Sequence, residues 1–401
     1  MPVLSILIPS KNRADYAVSC LRALQRIRAG DVEFVLQDNS ADDTLGRRVA
    51  ALGPDPRVMY EHVGGPLSVI DNCNRAMARA TGDYVTLVGD DDAATPEIVE
   101  AALWARANDL DALTPGRLVQ YDWPDVRYKY YGAKGAGDLR IWPFTGRIVE
   151  RDVTRGVREA AREAFQGLVD TQALPKLYYG LVKRSAFDAL QRETGTCFPG
   201  VSPDMAAAIG VSRFVSRMRS IDYPIFVPGT SARSTAGANA LKRHVGRLED
   251  QPHLPVDCVR TWPAEIPAVF TVQTVWAQSG LSALRATRRD DLAAEFDVAL
   301  LHAMCGVLNG GHFGLCYEHY RDWRRQTGQS AGALAFAGAV ARAWLHRARW
   351  LVGRLLRRPA YVGAWVRSGV PDIEAAVDVL TGYLQERSWT FARVAAGAAR
   401  P

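Results

Sequence analysis

Three adjacent carboxylates, Asp90, Asp91 and Asp92, follow the apolar run Tyr84-Val-Thr-Leu-Val88 and a glycine, Gly89. Like charges at this spacing repel one another, so the stretch is unfavourable unless a positive species binds among them. Carboxylate oxygens in a partly solvated loop suit Mg²⁺ or Mn²⁺, which keep some waters and take phosphate oxygens as further ligands. Two more polar clusters follow apolar runs in the same way, Ser10-Lys11-Asn12 and Asp38-Asn39-Ser40. If these runs are neighbouring parallel strands, the three clusters converge on the carboxyl edge of one sheet, where such sheets bind ligands. The combination points to a nucleotide and a divalent cation. A solvated acidic loop preceding a helix is the competing reading of the Asp triplet taken alone.

The elements needed to position these clusters are legible in the first 120 residues. Val3–Pro9, 32–37, 57–61 and 84–88 read as strands, with helical patterns after the first and second and a helix opening at Ser68. Asp71, three residues after Ser68, makes a variant of the capping box. Thr95-Pro96-Glu97 reads as a helix start, with a capping hydroxyl, a proline and an acid in order. Strand–helix alternation predicts a mostly parallel, doubly wound α/β sheet. From 116 to 171 the pattern weakens, and Tyr121, Trp123, Tyr128, Tyr130, Tyr131, Trp142 and Phe144 suggest irregular strands and loops over the crevice. Further strands are expected at 177–182 and 221–227, and helices dominate from Glu265 onward. Gly, Pro and charges cluster at 237–255, which places a boundary between a domain over 1–240 and a helical region over 256–401. Within the first, 1–115 and 116–240 are read as two halves, the three polar clusters lying in the former.

Composition excludes other classes. With 401 residues, 48% hydrophobic and 23% charged, the chain is neither disordered nor a small disulfide scaffold. Six scattered cysteines without a C-x-x-C pair suit a reducing compartment. The start, Met1-Pro-Val-Leu-Ser-Ile-Leu-Ile-Pro9, reads as a buried strand and not as a signal peptide. No stretch reaches 18 apolar residues. The expected location is cytoplasmic, with peripheral association at the inner face of the cell membrane.

Four motifs in order, Ser-Ile-Leu-Ile-Pro-Ser-Lys-Asn (5–12), Val-Leu-Gln-Asp-Asn-Ser-Ala-Asp-Asp-Thr (35–44), Asn74 with Ala80-Thr-Gly-Asp-Tyr-Val85, and Gly89-Asp-Asp-Asp92, resemble the inverting family 2 glycosyltransferases of the GT-A fold. The resemblance implies a Rossmann-like nucleotide-sugar domain, a UDP-sugar donor and an Mn²⁺ or Mg²⁺ cofactor. It implies that Pro9, Ser10, Asn12, Asp38, Asn74, Asp90 and Asp91 line the nucleotide sugar. Gln37 stands where the family carries the other acid of an Asp-Asp pair. The family's D-x-D-D pattern ends four residues before a proline, a spacing that Asp92 and Pro96 keep, so the resemblance assigns the metal to Asp92 or Asp91. Gly89 takes the place of the first acid.

Inverting transfer needs a base within reach of the acceptor hydroxyl as that oxygen attacks the anomeric carbon. The resemblance offers Asp204, in Gly200-Val-Ser-Pro-Asp-Met-Ala, though capping of the following helix is the competing role. Arg233, with Ser231, Ser234 and Thr235, is a candidate for touching the diphosphate. His312, Cys316 and His319 share a helical spacing, for which packing is preferred over a metal. The acceptor implied is a glycan or lipid-linked glycan, in surface polysaccharide biosynthesis. A catalytically inactive nucleotide-sugar-binding or scaffold protein is one rival reading. A nucleotidyltransferase is another, disfavoured because the first loop, Ile8-Pro-Ser-Lys-Asn-Arg13, has no glycine.

The formal net charge of +6 is local. Between Asp322 and Asp372 lie no acids and nine arginines, at 324, 325, 342, 347, 349, 354, 357, 358 and 367, and without them the chain carries −3. Trp344, Leu345, Trp350, Leu351, Leu355 and Leu356 recur among them. Such a helix suits an anionic membrane surface, which 323–371 would contact, or packs its apolar stripe on the catalytic domain. No specific nucleic acid is expected.

Overall fold

The computed structural model describes residues 1–401 apart from 117, 130, 167–170, 242–244, 252, 331, 357–362 and 398–401. Tyr130, Arg357 and Arg358 therefore lie outside the described residues, as do the side chains of 349–356.

The chain begins as strand–helix units: β1 (Leu4–Ser10), α1 (Ala14–Gln25), β2 (Val32–Asp38), α2 (Thr44–Ala50), β3 (Val58–His62), α3 (Val69–Arg79) and β4 (Tyr84–Leu87). β2 and β4 are buried throughout and β1 almost so, which is why they read as continuous apolar runs. Parallel neighbours need crossover helices, and β1 pairs in parallel with both β2 and β4. The register sets Ser10 beside Asp38 and Asp38 beside His62, so the polar residues ending each strand share one edge. The capping box of α3 forms as expected, with Asp71 N donating to Ser68 Oγ at 3.1 Å and Ser68 Oγ to Asp71 Oδ2 at 2.7 Å.

Residues 93–240 contain β5 (Ala93–Ala94), α4 (Ile98–Ala107), β6 (Ala112–Pro115), β7 (Val119–Asp122), β8 (Leu139–Ile141), β9 (Ile148–Arg151), α5 (Val153–Arg162), β10 (Leu181–Lys183), α6 (Arg184–Thr194), α7 (Pro203–Val211), β11 (Met218–Ile221), β12 (Phe226–Val227), β13 (Gly229–Thr230) and α8 (Thr235–Ala240). The central sheet has the order β3-β2-β1-β4-β10-β6-β11-β9, with β10 and β9 antiparallel to their neighbours. This is a mixed α/β fold with a mostly parallel central sheet, as the GT-A reading expects.

Two strand expectations are corrected. The strand expected over 221–227 is broken: β11 lies in the central sheet, while β12 pairs with β5 and β13 with β7. Pro224 stands at the break, and a proline has no N–H to give a ladder. Of 177–182, only the end joins β10, because Tyr179 takes a left-handed φ of 60°. The helix expected from Thr95 begins at Ile98, and Thr95 N instead donates to the Ile225 carbonyl at 2.8 Å.

The helical remainder comprises α9 (Val272–Ala286), α10 (Asp290–Ala293), α11 (Val298–Leu308), α12 (Phe313–Gln326), α13 (Ala333–Leu356), β14 (Trp365–Arg367), α14 (Ile373–Glu386) and α15 (Phe391–Ala395). It is not a separate unit. Leu284, Leu301 and Cys305 share one buried cluster with Cys73, Phe187 and Ile209 of the first half. β14 pairs with β8, and Ile373, Leu380 and Phe391 join the core formed by β1 and α1. Residues 365–395 thus pack against the N-terminal strands and helices.

Candidate functional site

The turn after β4 carries the acids inward. Asp90, Asp91 and Asp92 are 1%, 4% and 1% exposed, so the triplet is no solvated loop. Arg13, just before α1, supplies the counter-charge: its Nη1 meets Asp90 Oδ1 at 2.6 Å and its Nη2 meets Asp91 Oδ2 at 2.9 Å. Ser10 Oγ donates to Asp90 Oδ2 at 2.6 Å, and Ser231 Oγ donates to Asp91 Oδ2 at 2.6 Å. Burial pushes the Asp90 carboxyl above its ordinary pKa against the pull of Arg13. Burial alone would lower the Arg13 guanidinium, but Asp90 and Asp91 outweigh it and raise it.

Asp92, a metal ligand on the sequence reading, is turned away from this cluster. Its Oδ2 accepts from Gly89 N at 2.7 Å, Tyr178 Oη at 3.0 Å and Tyr179 Oη at 2.8 Å, and its Oδ1 from Gly229 N at 2.6 Å. Both oxygens are committed to protein donors, so Asp92 is a strut between β4, β13 and the 178–179 turn. Burial raises its pKa to about 6, with Asp91 adding to the effect. The glycine before the triplet has a steric cause: a Cβ on Gly89 would lie 2.6 Å from both Asp92 Oδ2 and Tyr178 Oη.

The β1 and β2 loops are stitched together beside the acids. Asn12 holds a left-handed φ of 58°, receives Ala41 N on its Oδ1 at 2.9 Å and donates its own N–H to Ser40 Oγ at 2.8 Å. Asp38 is fully buried, accepting Ser40 N at 2.8 Å and Tyr60 Oη at 3.0 Å. Pro9 lies level with Gln37 across the β1–β2 ladder. Among the described residues the buried Gln37 amide has no hydrogen-bond partner at either end, and Asn39 Oδ1 and Asn72 Oδ1 are likewise unpartnered. Each such atom costs roughly 1–3 kcal/mol, which a bound ligand would offset.

Asn74 does not face this edge. It bonds Thr196 Oγ1 at 3.0 Å and Cys197 N at 3.0 Å, tethering the 196–197 loop. Asn72, two residues earlier on α3, is the α3 amide that reaches the β1 end, donating to the Ser10 carbonyl at 3.2 Å. A two-residue shift turns a helix by about 200°, which decides the face.

Asp204 sits in the first turn of α7, half-buried. Its Oδ1 accepts Met205 N at 2.7 Å and the Ser202 hydroxyl, leaving Oδ2 without a hydrogen bond among the described residues. Arg233 is exposed, and its Nη1 reaches the Asn12 carbonyl at 3.4 Å, so the 229–237 loop borders the β1 loop. His319 pairs instead with His302, Nδ1 to Nε2 at 3.0 Å, and Cys316 with Cys305. Among the described residues no three His, Cys, Asp or Glu side chains are arranged to hold a metal.

Sequence reasoning missed Arg13, Tyr178 and Tyr179; Trp123, expected only as part of the irregular segment over the crevice, donates its Nε1–H to the Asp91 carbonyl at 2.9 Å. Only Arg13 carried a signal, as the one cation adjoining the first polar loop that follows Asn12 directly.

Residues 5–157 match the model of the family described as Glycosyl transferase family 2. Over this segment, less than half of its length, the chain is similar to that family. The glycosyltransferase GlyG of Streptococcus pneumoniae is 25% identical over 131 residues, 32% of this chain and 43% of that protein. A GalNAc(5)-diNAcBac-PP-undecaprenol β-1,3-glucosyltransferase of Campylobacter jejuni is 31% identical over 108 residues, 26% of this chain and 33% of that protein. The chain thus spans less than half the length of these curated relatives. The crystal structure of S. aureus TarS 1-349 in complex with UDP-GlcNAc superposes with a TM-score of 0.46 at 14% identity, over 96% of this chain and 92% of that one.

Proposed function

We propose that this chain transfers a sugar from a nucleoside-diphosphate sugar, by default a UDP-sugar, to a glycan or lipid-linked glycan with inversion, in surface polysaccharide assembly. The observation that carries the reading is the buried edge where Arg13, Asp90, Asp91 and Ser231 meet beside the Gln37 amide and Asn72 Oδ1, which have no hydrogen-bond partner among the described residues. Those amides supply donors and acceptors for a nucleobase and ribose. The undecaprenol-linked substrate in the name of the Campylobacter relative supports a lipid-linked acceptor.

A divalent cation fits the charge. The buried Asp90 and Asp91 carboxylates against the single Arg13 guanidinium leave a formal negative charge in the cluster. Mg²⁺ or Mn²⁺ is commonly held by one or two carboxylates plus phosphate oxygens. Asp91, with Asp90 beside it, would hold it, and Asp92 would not, since both its oxygens are bonded elsewhere. When bound, the ion supplies positive charge against the diphosphate leaving group. Arg13, released from the acids, and exposed Arg233 would bind the diphosphate. Asp204 Oδ2 takes the proton of the acceptor hydroxyl while that oxygen displaces the diphosphate in one step. The Ser202 hydroxyl and Met205 N fix the other oxygen, which orients the base.

Hydrolysis of a panel of nucleotide sugars with Mn²⁺ or Mg²⁺, compared with Asp91→Ala, tests the reading. Donor cleavage lost in the variant supports it. If no donor is bound or cleaved and Asp91→Ala changes nothing, the scaffold reading replaces it.

We infer a peripheral membrane contact for α13. Leu334, Trp344 and Leu345 are 91%, 51% and 51% exposed, and exposed Phe313 and Leu315 belong to neighbouring α12. Phe336, Ala339 and Ala343 pack inward, so the helix has both an inner stripe and an outer apolar face. The arginines contribute less than their number suggests. Arg342 pairs with Glu163 at 3.1 Å and Asp297 at 2.8 Å, and Arg347 binds the Val307 carbonyl. Among the described residues no helix is long and apolar enough to cross a membrane.

A further inference from the structure

The helices α6, α7 and α9 bring their C-terminal ends to one concavity, at the end of α7 remote from Asp204. It is an open depression of about 710 Å³, lined by Arg192, Glu193, Arg213, Thr287, Arg288 and Arg289. That volume falls within the range of small-molecule sites, roughly 300–1,000 Å³. Four arginines and one glutamate give the lining a formal charge of +3.

Arg213 and Arg288 have no ion pair or side-chain hydrogen bond among the described residues. Arg192 reaches only the Asp188 carbonyl, at 3.2 Å, and Arg289 alone is paired, with Asp291 at 3.1 Å. Arg288 also occupies a backbone position that favours glycine. It follows the C-cap of α9 with a left-handed φ of 54°, where glycine would avoid a cost of roughly 1–2 kcal/mol. A guanidinium is kept at a place where the fold alone would favour no side chain.

Cations near helix C-termini are ordinarily explained by the helix dipole. Each C-terminus carries about half a negative charge, so three amount to about one and a half. That offsets about half of the +3, and Asp291 on Arg289 takes up one charge more, so the surplus is small and rests on the unpaired Arg213 and Arg288. Unpaired guanidinium groups in a concave, positively charged wall bind oxyanions through forked hydrogen bonds.

We propose that this concavity is a second anion site, distinct from the sugar-donor site, that takes a phosphate or diphosphate group. Arg213 and Arg288 grip the oxyanion, and Arg192 borders it. The group arrives either on a free phosphorylated compound or on a lipid headgroup. Because the site lies beyond the far end of α7, about 13 Å of helix separates it from the proposed base. Occupancy here is therefore compatible with a filled donor site.

The test is isothermal titration of the full chain with inorganic pyrophosphate while uridine diphosphate is held at saturation. One pyrophosphate is expected to bind under these conditions. Affinity should fall at least tenfold in Arg213→Ala/Arg288→Ala and less in the corresponding double lysine variant. Since neither side chain has a protein partner, the variants should melt with the wild type, so a loss reports binding and not misfolding. Pyrophosphate binding that vanishes under saturating uridine diphosphate, or persists unchanged in the double alanine variant, overturns the proposal. Sedimentation with anionic and neutral vesicles then assigns the source. Loss of anionic-vesicle binding in the variant marks a lipid headgroup; unchanged sedimentation with lost pyrophosphate binding marks a free phosphorylated compound.

Discussion

Arg13 and Asp91 face each other at 2.9 Å across the turn that follows β4, in a site where both are largely removed from water. Breaking such a pair from one side leaves an uncompensated buried charge, typically about 3–5 kcal/mol. Arg13→Ala should therefore lower the melting temperature markedly. Adding Mn²⁺ should restore part of the loss, because a divalent ion supplies the missing positive charge. Thermal scans of wild type and variant with and without the ion decide it, and an unchanged melting temperature refutes the role of Arg13.

Asp91 and Asp92 are neighbours with different work. Asp92 accepts four hydrogen bonds. Asp92→Ala strands their donors and should cost on the order of 3 kcal/mol or more of stability. Asp91→Asn keeps the shape and should chiefly weaken donor and Mn²⁺ binding. Parallel melting curves and nucleotide titrations separate the two. A result in which Asp92→Ala melts normally yet loses only metal would return Asp92 to the ligand set.

Asp204→Asn removes the proposed base while keeping an oxygen for the Ser202 and Met205 bonds. The rate of transfer should drop about 10²–10⁴-fold with donor affinity unchanged. Full turnover in this variant would show that Asp204 only caps α7.

Acidification should act through His302. Burial lowers its pKa to about 3, with neighbouring His319 adding to the drop, against an ordinary value near 6.5. Below pH 6.5 the unfolded chain takes up a proton that the folded chain refuses. Stability from this group is therefore complete above about pH 6.5 and is lost as pH falls towards 3. The melting temperature should fall between pH 7 and 5, and by less in His302→Gln. Equal slopes in the two proteins would exclude His302 as the cause.

For the membrane contact, deleting 323–371 would also remove β14, which pairs with β8, and Val370, which lies in the first core. Point changes are the sound alternative. Leu334→Asp with Leu345→Asp should abolish sedimentation with anionic liposomes without altering the fold, since both side chains are exposed. Retained sedimentation refutes the contact through α13.

The order of strands and helices, the convergence of Ser10, Asp38 and the Asp triplet on one edge, and the capping of α3 were all determined by the sequence itself. These features depend on contacts between residues near in the chain and on burial periodicity, which composition along a segment displays directly. Pairings between distant segments were decided only in three dimensions. Arg13 meets Asp90 across 77 residues of chain, Asp92 is held by Gly229 and the 178–179 turn, and β14 closes a sheet opened more than 200 residues earlier. Choosing Asn72 over Asn74, or Asp91 over Asp92, turns on where a side chain points once the sheet is assembled. That direction is fixed by packing against remote backbone, and no spacing within a motif records it.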